Sequence, residues 1–392
     1  MTLDQWRVSL GDILPEITAV RREMHMHPEL GGCEEQTRAL VVRVLEKTQA
    51  EISFFDDCFG VMAILRNGEG PCIAIRADMD ALPLDEKAAG ECRSLTPGVM
   101  HACGHDVHMA LALGSALWLD RNRDKWQGTV KLLFEPAEET FGGSQLMVAQ
   151  GCLDNPKVDC VIGQHVNPHY DAGAFFSMPG YVSGSSDRLE LTVSGKRSHG
   201  AYPEGGVDAI VIAAQVVTAL QSLVSRNISP FDPAVITFGT VSGGTANNII
   251  CDRVTLVGTL RTLSAETRAF LRSRITETAE GIAKAMGGNA TVEIEAGYGA
   301  VYNHDAYHQL AENCARALVG DELIHRRKQA SLGVESFCYF VQDTPGVFYD
   351  LGCGVGTALH TDTFQINEAC LLPGIAMQCE TALAIMKEVT HS

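Results

Sequence analysis

Gly98-Val-Met-His-Ala-Cys-Gly-His-Asp-Val-His-Met-Ala110 is the stretch on which the reading of this chain turns. It sets His101, Cys103, His105, Asp106 and His108 close together, then runs into the apolar, helix-like segment Met109–Leu119. Few structural tasks need so many metal-capable side chains in one place. Three other apolar runs end the same way. Pro71–Ala77 stops at Asp78-Met-Asp80, Val130–Phe134 stops at Glu135-Pro-Ala-Glu138-Glu139, and Cys160–Gln164 stops at His165. Each reads as a buried strand whose last residues offer a carboxylate or an imidazole. The pattern implies a metal-centred hydrolase.

Working outward, apolar residues at helical spacing predict a helix over Leu3–Arg22 and a second over Glu34–Lys47, with Pro28 between them. Strand-like runs at Val61–Leu65, Cys72–Ala77, Val130–Phe134 and Val158–Gln164 alternate with helices, which predicts a doubly wound, mostly parallel α/β sheet. Such sheets bind ligands beyond the carboxyl ends of their strands, where Asp80, Glu138, Glu139 and His165 fall. After about Ser183 the order becomes strand, helix, strand, strand, helix, strand, from Arg188–Ser194 to Ala290–Glu295. That β-α-β-β-α-β order predicts a small ferredoxin-like domain inserted at 185–296, with 1–184 and 297–392 forming the catalytic domain. Gly180, Gly184 and Gly297 are expected hinge positions. A strand at Gly346–Leu351, a loop carrying His360 and a last helix near Glu368–Val389 complete the larger domain.

A chain of 392 residues, 46% hydrophobic and 20% charged, can bury a large core in two domains. Its net charge of −18 and lack of a basic patch exclude a nucleic-acid or anionic-membrane partner. No apolar run approaches the roughly 18–20 residues of a membrane span, and Met1–Leu10 lacks a signal-peptide pattern. Thirteen scattered cysteines without a C-x-x-C pair fit a reducing compartment. A cytoplasmic enzyme is expected.

Six motifs then occur in a familiar order: Arg76-Ala-Asp-Met-Asp-Ala-Leu-Pro83, Met100–His108, Phe134-Glu-Pro-Ala-Glu-Glu139, Gly163-Gln-His165, Ser198-His199-Gly200 and Leu359-His360. Across almost its whole length the chain resembles the M20 metallopeptidases. The likeness is to the amidohydrolase branch of hippurate hydrolases, indole-acetyl-amino-acid hydrolases and N-acyl-amino-acid deacylases. The resemblance implies two divalent metal ions, a homodimer formed through the inserted domain, and a small N-acylated amino acid as substrate. It maps the metal ligands onto Cys103, His105, Glu139, His165 and His360, the general base onto Glu138 and an orienting carboxylate onto Asp80. It maps an oxyanion-stabilising histidine that reaches into the partner's site onto His199, and substrate-carboxylate contacts onto Asn248 and Arg261.

The residue chemistry is consistent with this. Thiolate and imidazole suit zinc and also bind manganese, cobalt or nickel. Adjacent side chains diverge, so Glu139 could bind metal while Glu138 faces substrate. A metal acidifies water, and Glu138 would take its proton and return it to the leaving amine. Asp78 reads equally as a surface turn residue, while His101, Asp106 and His108 read as partners of the ligands or as helix caps. Two positions depart from the family pattern. Ser336 stands where aspartate is usual, expected to remove a charge at the mouth of the site, and Cys251 replaces a common proline. Rival readings are a dipeptidase or carboxypeptidase on the same fold, a metal-free thiol hydrolase using Cys103, and a non-catalytic metal-containing binding protein.

Overall fold

The structure is a computed structural model that describes residues 1–90, 92–140 and 142–391. It divides into two compact units. One comprises Met1–Val182, Tyr302–Gln329 and Ser336–Ser392, and the other Ser183–Val301 with Ala330–Glu335. The short segment 330–335 joins the second unit, where the Gly184 N–H donates to Gly333 O at 2.9 Å.

In the larger unit, eight strands form one mixed sheet. Their order is Glu51–Phe54, Val61–Asn67, Gly128–Glu135, Cys72–Asp78, Cys160–Asn167, Gly346–Gly352, Phe175–Ser177 and Ile324–Arg326. The four central strands, from Gly128–Glu135 to Gly346–Gly352, run parallel. All residues of Gly128–Glu135, Cys72–Asp78 and Gly346–Gly352 are buried, which explains why they read as mostly apolar runs instead of alternating ones, with Lys131, Arg76 and Asp350 as buried charges within them. Helix packing then covers the sheet, giving the expected α/β class.

Two helices depart from the sequence expectation. Leu3–Arg22 is two helices, Leu3–Leu10 and Ile13–Met26, broken at Gly11 with φ 47°. The metal-rich stretch is not a loop ahead of a helix, because the helix already begins at His105 and runs to Arg121. Gly104 caps it in the left-handed conformation at φ 82°, and a Cβ there would fall 2.4 Å from Val166 Cγ2. Both the backbone angle and the close approach thus require glycine between Cys103 and His105. Residues His105–Leu119 are buried all round, so no amphipathic stripe marks the helix.

Two helical stretches, Ala209–Asn227 and Glu368–His391, do have the length and hydropathy of a membrane span, against expectation. The second is mostly buried in the core, a setting in which a globular helix acquires the same composition.

The second unit is a four-stranded antiparallel sheet in the order Ala234–Gly243, Arg253–Thr262, Ser185–Ser194, Asn289–Ala296. Helices Ala209–Ser222 and Ala265–Ala285 pack on it around a separate core that includes Leu189, Leu191, Val216, Leu256 and Ile275. This is the ferredoxin-like β-α-β-β-α-β arrangement. Gly184 and Gly297 sit where Cβ atoms would press on Thr262 O at 3.1 Å and Ser186 O at 2.8 Å, so close packing accounts for both.

Candidate metal centre

The carboxyl ends of the parallel strands deliver the site. Beyond Cys72–Asp78 comes Asp80, beyond Gly128–Glu135 come Glu138 and Glu139, and His165 lies on the last turn of pleat of Cys160–Asn167. Helix His105–Arg121 brings Cys103 and His105 over these ends, and the loop after Gly346–Gly352 brings His360 in left-handed geometry at φ 59°. Cys103 Sγ lies 3.4 Å from His165 Nε2 and 3.3 Å from His360 Nε2. His360 Nε2 lies 3.1 Å from Glu139 Oε1. Donor atoms within 4.8 Å of one another form the groups Cys103–His105–His165, Cys103–Glu139–His360, His105–Glu138–Glu139 and, behind them, the fully buried Asp78–His105–His108. The five residues expected as ligands therefore lie together, with Glu138 beside them.

The donors are electrostatically paired. Burial alone would raise the Cys103 thiol, but the His165 and His105 imidazoles bring it down to about 6. Contact with Cys103 and then Glu139 pushes His360 up to about 10. Burial opposes the charge on Glu139, yet His360 and His105 hold it below the ordinary carboxylate range. A thiolate, an imidazolium and a carboxylate in contact are a set in which a cation can replace protons. Buried His105 Nε2 has no hydrogen-bond partner among the described residues, with Asp78 Oδ2 3.7 Å away. The donor set and this unmatched nitrogen fit a pair of divalent ions.

The surroundings orient the donors. His105 Nδ1 lies 2.8 Å from Asp80 O and 3.2 Å from Asp80 Oδ1, which directs Nε2 into the site. Asp80 Oδ2 accepts the Glu139 N–H at 3.0 Å. His165 Nδ1 lies 2.8 Å from Val166 O, and its Nε2 thereby faces Cys103.

Several expectations need correction. Asp78 is no surface turn residue: it is fully buried, with Oδ1 2.5 Å from His108 Nδ1 and Oδ2 2.7 Å from Arg76 NH1. His108 is not a cap; its ring packs edge-on against that of His165, with centroids 4.5 Å apart, and its Nε2 accepts the Val166 N–H at 2.9 Å, tying the helix to the next strand. Asp106 pairs away from the donors, with His25 Nδ1 at 2.8 Å and Arg21 at 3.2 Å. Ser336 lies in the buried floor rather than at a mouth, where its Oγ accepts from Arg76 NH2 at 2.7 Å and its N–H donates to Glu138 Oε1 at 3.3 Å.

Arg76 was missed as a buried charge beneath the site. It is buried among Asp78, Glu135 and Ser336, and breaking such a buried pair typically costs about 3–5 kcal/mol. A charge inside the apolar run Pro71–Ala77 was the available signal.

His199, Asn248 and Arg261 belong to the second unit. His199 and Asn248 are exposed, and the Ala201 N–H donates to His199 Nδ1 at 3.1 Å. Arg261 lies on strand Arg253–Thr262, with its NH1 nitrogen buried and lacking a hydrogen-bond partner among the described residues. Cys251 is buried, its thiol donating to Arg253 O at 3.0 Å.

A sequence model of peptidase family M20/M25/M40 matches residues 74–384. The chain belongs to this family. Among its M20-type relatives, it is 34% identical over 386 residues to the N-acetyl-L-cysteine deacetylase of Bacillus subtilis, covering 97% of this chain and 90% of that one. It is 34% identical over 391 residues to an IAA-amino acid hydrolase of Arabidopsis thaliana, covering 97% and 88% respectively. A crystal structure of a dinuclear metal binding M20 peptidase from Bacillus subtilis superposes with a TM-score of 0.83 at 30% identity, over 96% of this chain and 99% of that one. The M20 chain is thus a hydrolase with residues for two divalent metals.

Proposed function

We propose that this M20 hydrolase cleaves the amide bond of N-acyl amino acids, releasing a free amino acid and a carboxylic acid. The observation that carries the reading is the convergence of Cys103, His105, Glu139, His165 and His360 with a further carboxylate, Glu138, beside them. The deacetylase and amino-acid-conjugate hydrolase named above support the substrate class. Two divalent ions, of zinc, manganese, cobalt or nickel, would supply Lewis acidity at the scissile carbonyl and acidify the attacking water. Glu138 takes that water's proton and passes it to the leaving nitrogen. Asp80 keeps His105 turned towards the site, and Asn248 and Arg261 hold the substrate carboxylate. The buried, unmatched NH1 of Arg261 supports that last role, since a guanidinium fork suits a carboxylate.

Stripping the protein with chelator and reloading it with each metal should restore amino-acid release from N-acetyl, N-benzoyl or indole-acetyl amino acids. Release from unblocked dipeptides alone would move the enzyme to the peptidase reading, and silence with every metal would make it a binding protein. Activity surviving chelation would revive the thiol mechanism.

The same reading makes the protein a homodimer in which His199 serves the partner's site as an oxyanion donor. Strand Ala234–Gly243 is a sheet edge, and Val235, Val241, Ile210 and Val211 are exposed apolar side chains on that strand and the nearby helix. Co-expressing a His199→Ala chain with a Glu138→Gln chain should recover roughly a quarter of wild-type activity, because random pairing yields hybrid dimers with one complete site. No recovery would place His199 in its own subunit's site, and a His199→Ala protein active by itself would place it outside the reaction. All thirteen cysteines are free thiols, which supports a reducing, cytoplasmic setting.

A further inference from the structure

Glu34 is a buried carboxylate for which the mechanism above has no use. It precedes helix Glu35–Leu45 but makes no side-chain capping bond to it. Instead, Glu34 Oε1 accepts the Ala137 N–H at 2.7 Å, across a separation of 103 residues, while Oε2 is buried without a hydrogen-bond partner among the described residues. A carboxylate buried in this way is costly unless its bonds repay it. Ala137 is the residue immediately before Glu138, and its φ of 56° lies in the left-handed region that residues with a Cβ rarely adopt. Such a conformation persists only where its surroundings over-determine it.

Two further contacts bear on the same turn. A Cβ on Gly31 would fall 2.8 Å from Thr140 Oγ1 and 3.1 Å from both Ala137 Cα and Asp80 Oδ2. The segment around Gly31 therefore packs directly against the turn, leaving no room for a side chain. Asp80 Oδ2 in turn accepts the Glu139 N–H. The turn is thus gripped at Ala137 by Glu34 and at Glu139 by Asp80.

We propose that Glu34 is a positioning residue, whose carboxylate oxygen holds Ala137 in its left-handed conformation and so aims Glu138 and Glu139 into the site. The inference rests on the roles proposed above for those two residues. What matters is the acceptor oxygen, so the amide of glutamine, which offers the same oxygen, should substitute for it.

The test compares Glu34→Ala, Glu34→Gln, Glu34→Asp and Gly31→Ala proteins for kcat, KM, zinc affinity and thermal midpoint. Loss of a partner that orients a metal-site residue costs about 10–100-fold. Glu34→Ala should lower kcat by that factor with KM within about threefold of wild type, and should weaken zinc binding at one of two sites about tenfold. Glu34→Gln should stay within about threefold of wild type in both, as expected when the hydrogen bond survives. Should Glu34→Ala fail to fold, Glu34→Gln and Glu34→Asp decide instead. The glutamine, which keeps the oxygen in place, should hold wild-type kcat and zinc affinity, while the shorter aspartate, which withdraws it from the Ala137 N–H, should lose both. Gly31→Ala, which would also press on Asp80 Oδ2, serves only to show that the turn controls the site. A Glu34→Gln protein as impaired as Glu34→Ala, or a Glu34→Ala or Glu34→Asp protein with wild-type kcat and zinc affinity, would overturn the proposal. If the wild-type protein turned over no amide, the proposed reaction would be lost, and zinc affinity alone would still decide the role of Glu34.

Discussion

A Glu138→Gln protein is expected to bind two metal ions per chain, fold with an unchanged thermal midpoint and lose about 10²–10⁴-fold in kcat, the usual contribution of a positioned proton-transfer group. The substitution isolates basicity from shape. Glutamine keeps the length of the side chain and a carbonyl oxygen able to accept the Ser336 N–H that now donates to Glu138 Oε1 at 3.3 Å. Glu139, the neighbouring carboxylate, keeps its backbone bond to Asp80 Oδ2 and its 3.1 Å approach to His360. Metal content by elemental analysis, read beside kcat and KM, separates the alternatives. Near-normal turnover would remove Glu138 from the proton shuttle. Loss of metal together with activity would make it a ligand, an outcome made concrete by its place in the group His105–Glu138–Glu139.

The second large effect is expected at Cys103. It belongs both to the group containing His165 and to the group containing His360, so one sulfur serves two sets of donors. Cys103→Ala should therefore reduce bound metal by at least one ion per chain after dialysis. Hydrolysis should fall by on the order of 10²-fold or more, since even partners outside the coordination sphere are worth 10–100-fold. The fold should tolerate the change, because removing a small buried thiol deletes little apolar surface, about 1 kcal/mol. A Cys103→Ala protein that holds two ions and works normally would exclude the thiol from the centre. One that holds two ions but is inactive would favour the rival thiol nucleophile.

The fold class and the site were legible in unequal measure. Runs such as Cys72–Ala77 and Val130–Phe134 announce parallel strands, because strands buried on both faces are mostly apolar, Arg76 and Lys131 being the buried charges that interrupt them. The polar residues that stop those runs lie by topology at the carboxyl ends, where open α/β sheets bind ligands. The break at Gly11 and the early start of the helix at His105 were not legible. A left-handed glycine and a fully buried helix leave no periodic signature. Asp78 and Ser336 were misplaced for a related reason. Both look like polar surface residues in one dimension, and only the buried guanidinium of Arg76, which contacts both, explains their location.

What the amino-acid order determined by itself is the class of fold, the insertion of a second unit and the set of side chains able to hold metal. These follow from hydrophobic period and residue chemistry, which are local properties. Only the tertiary structure decided which atoms face one another. Cys103 meets His360 across 257 residues, and Glu34 meets Ala137 across 103. Such contacts are set by how helices pack over strand ends, and the energy that selects them is shared among many buried groups instead of being written at any one position.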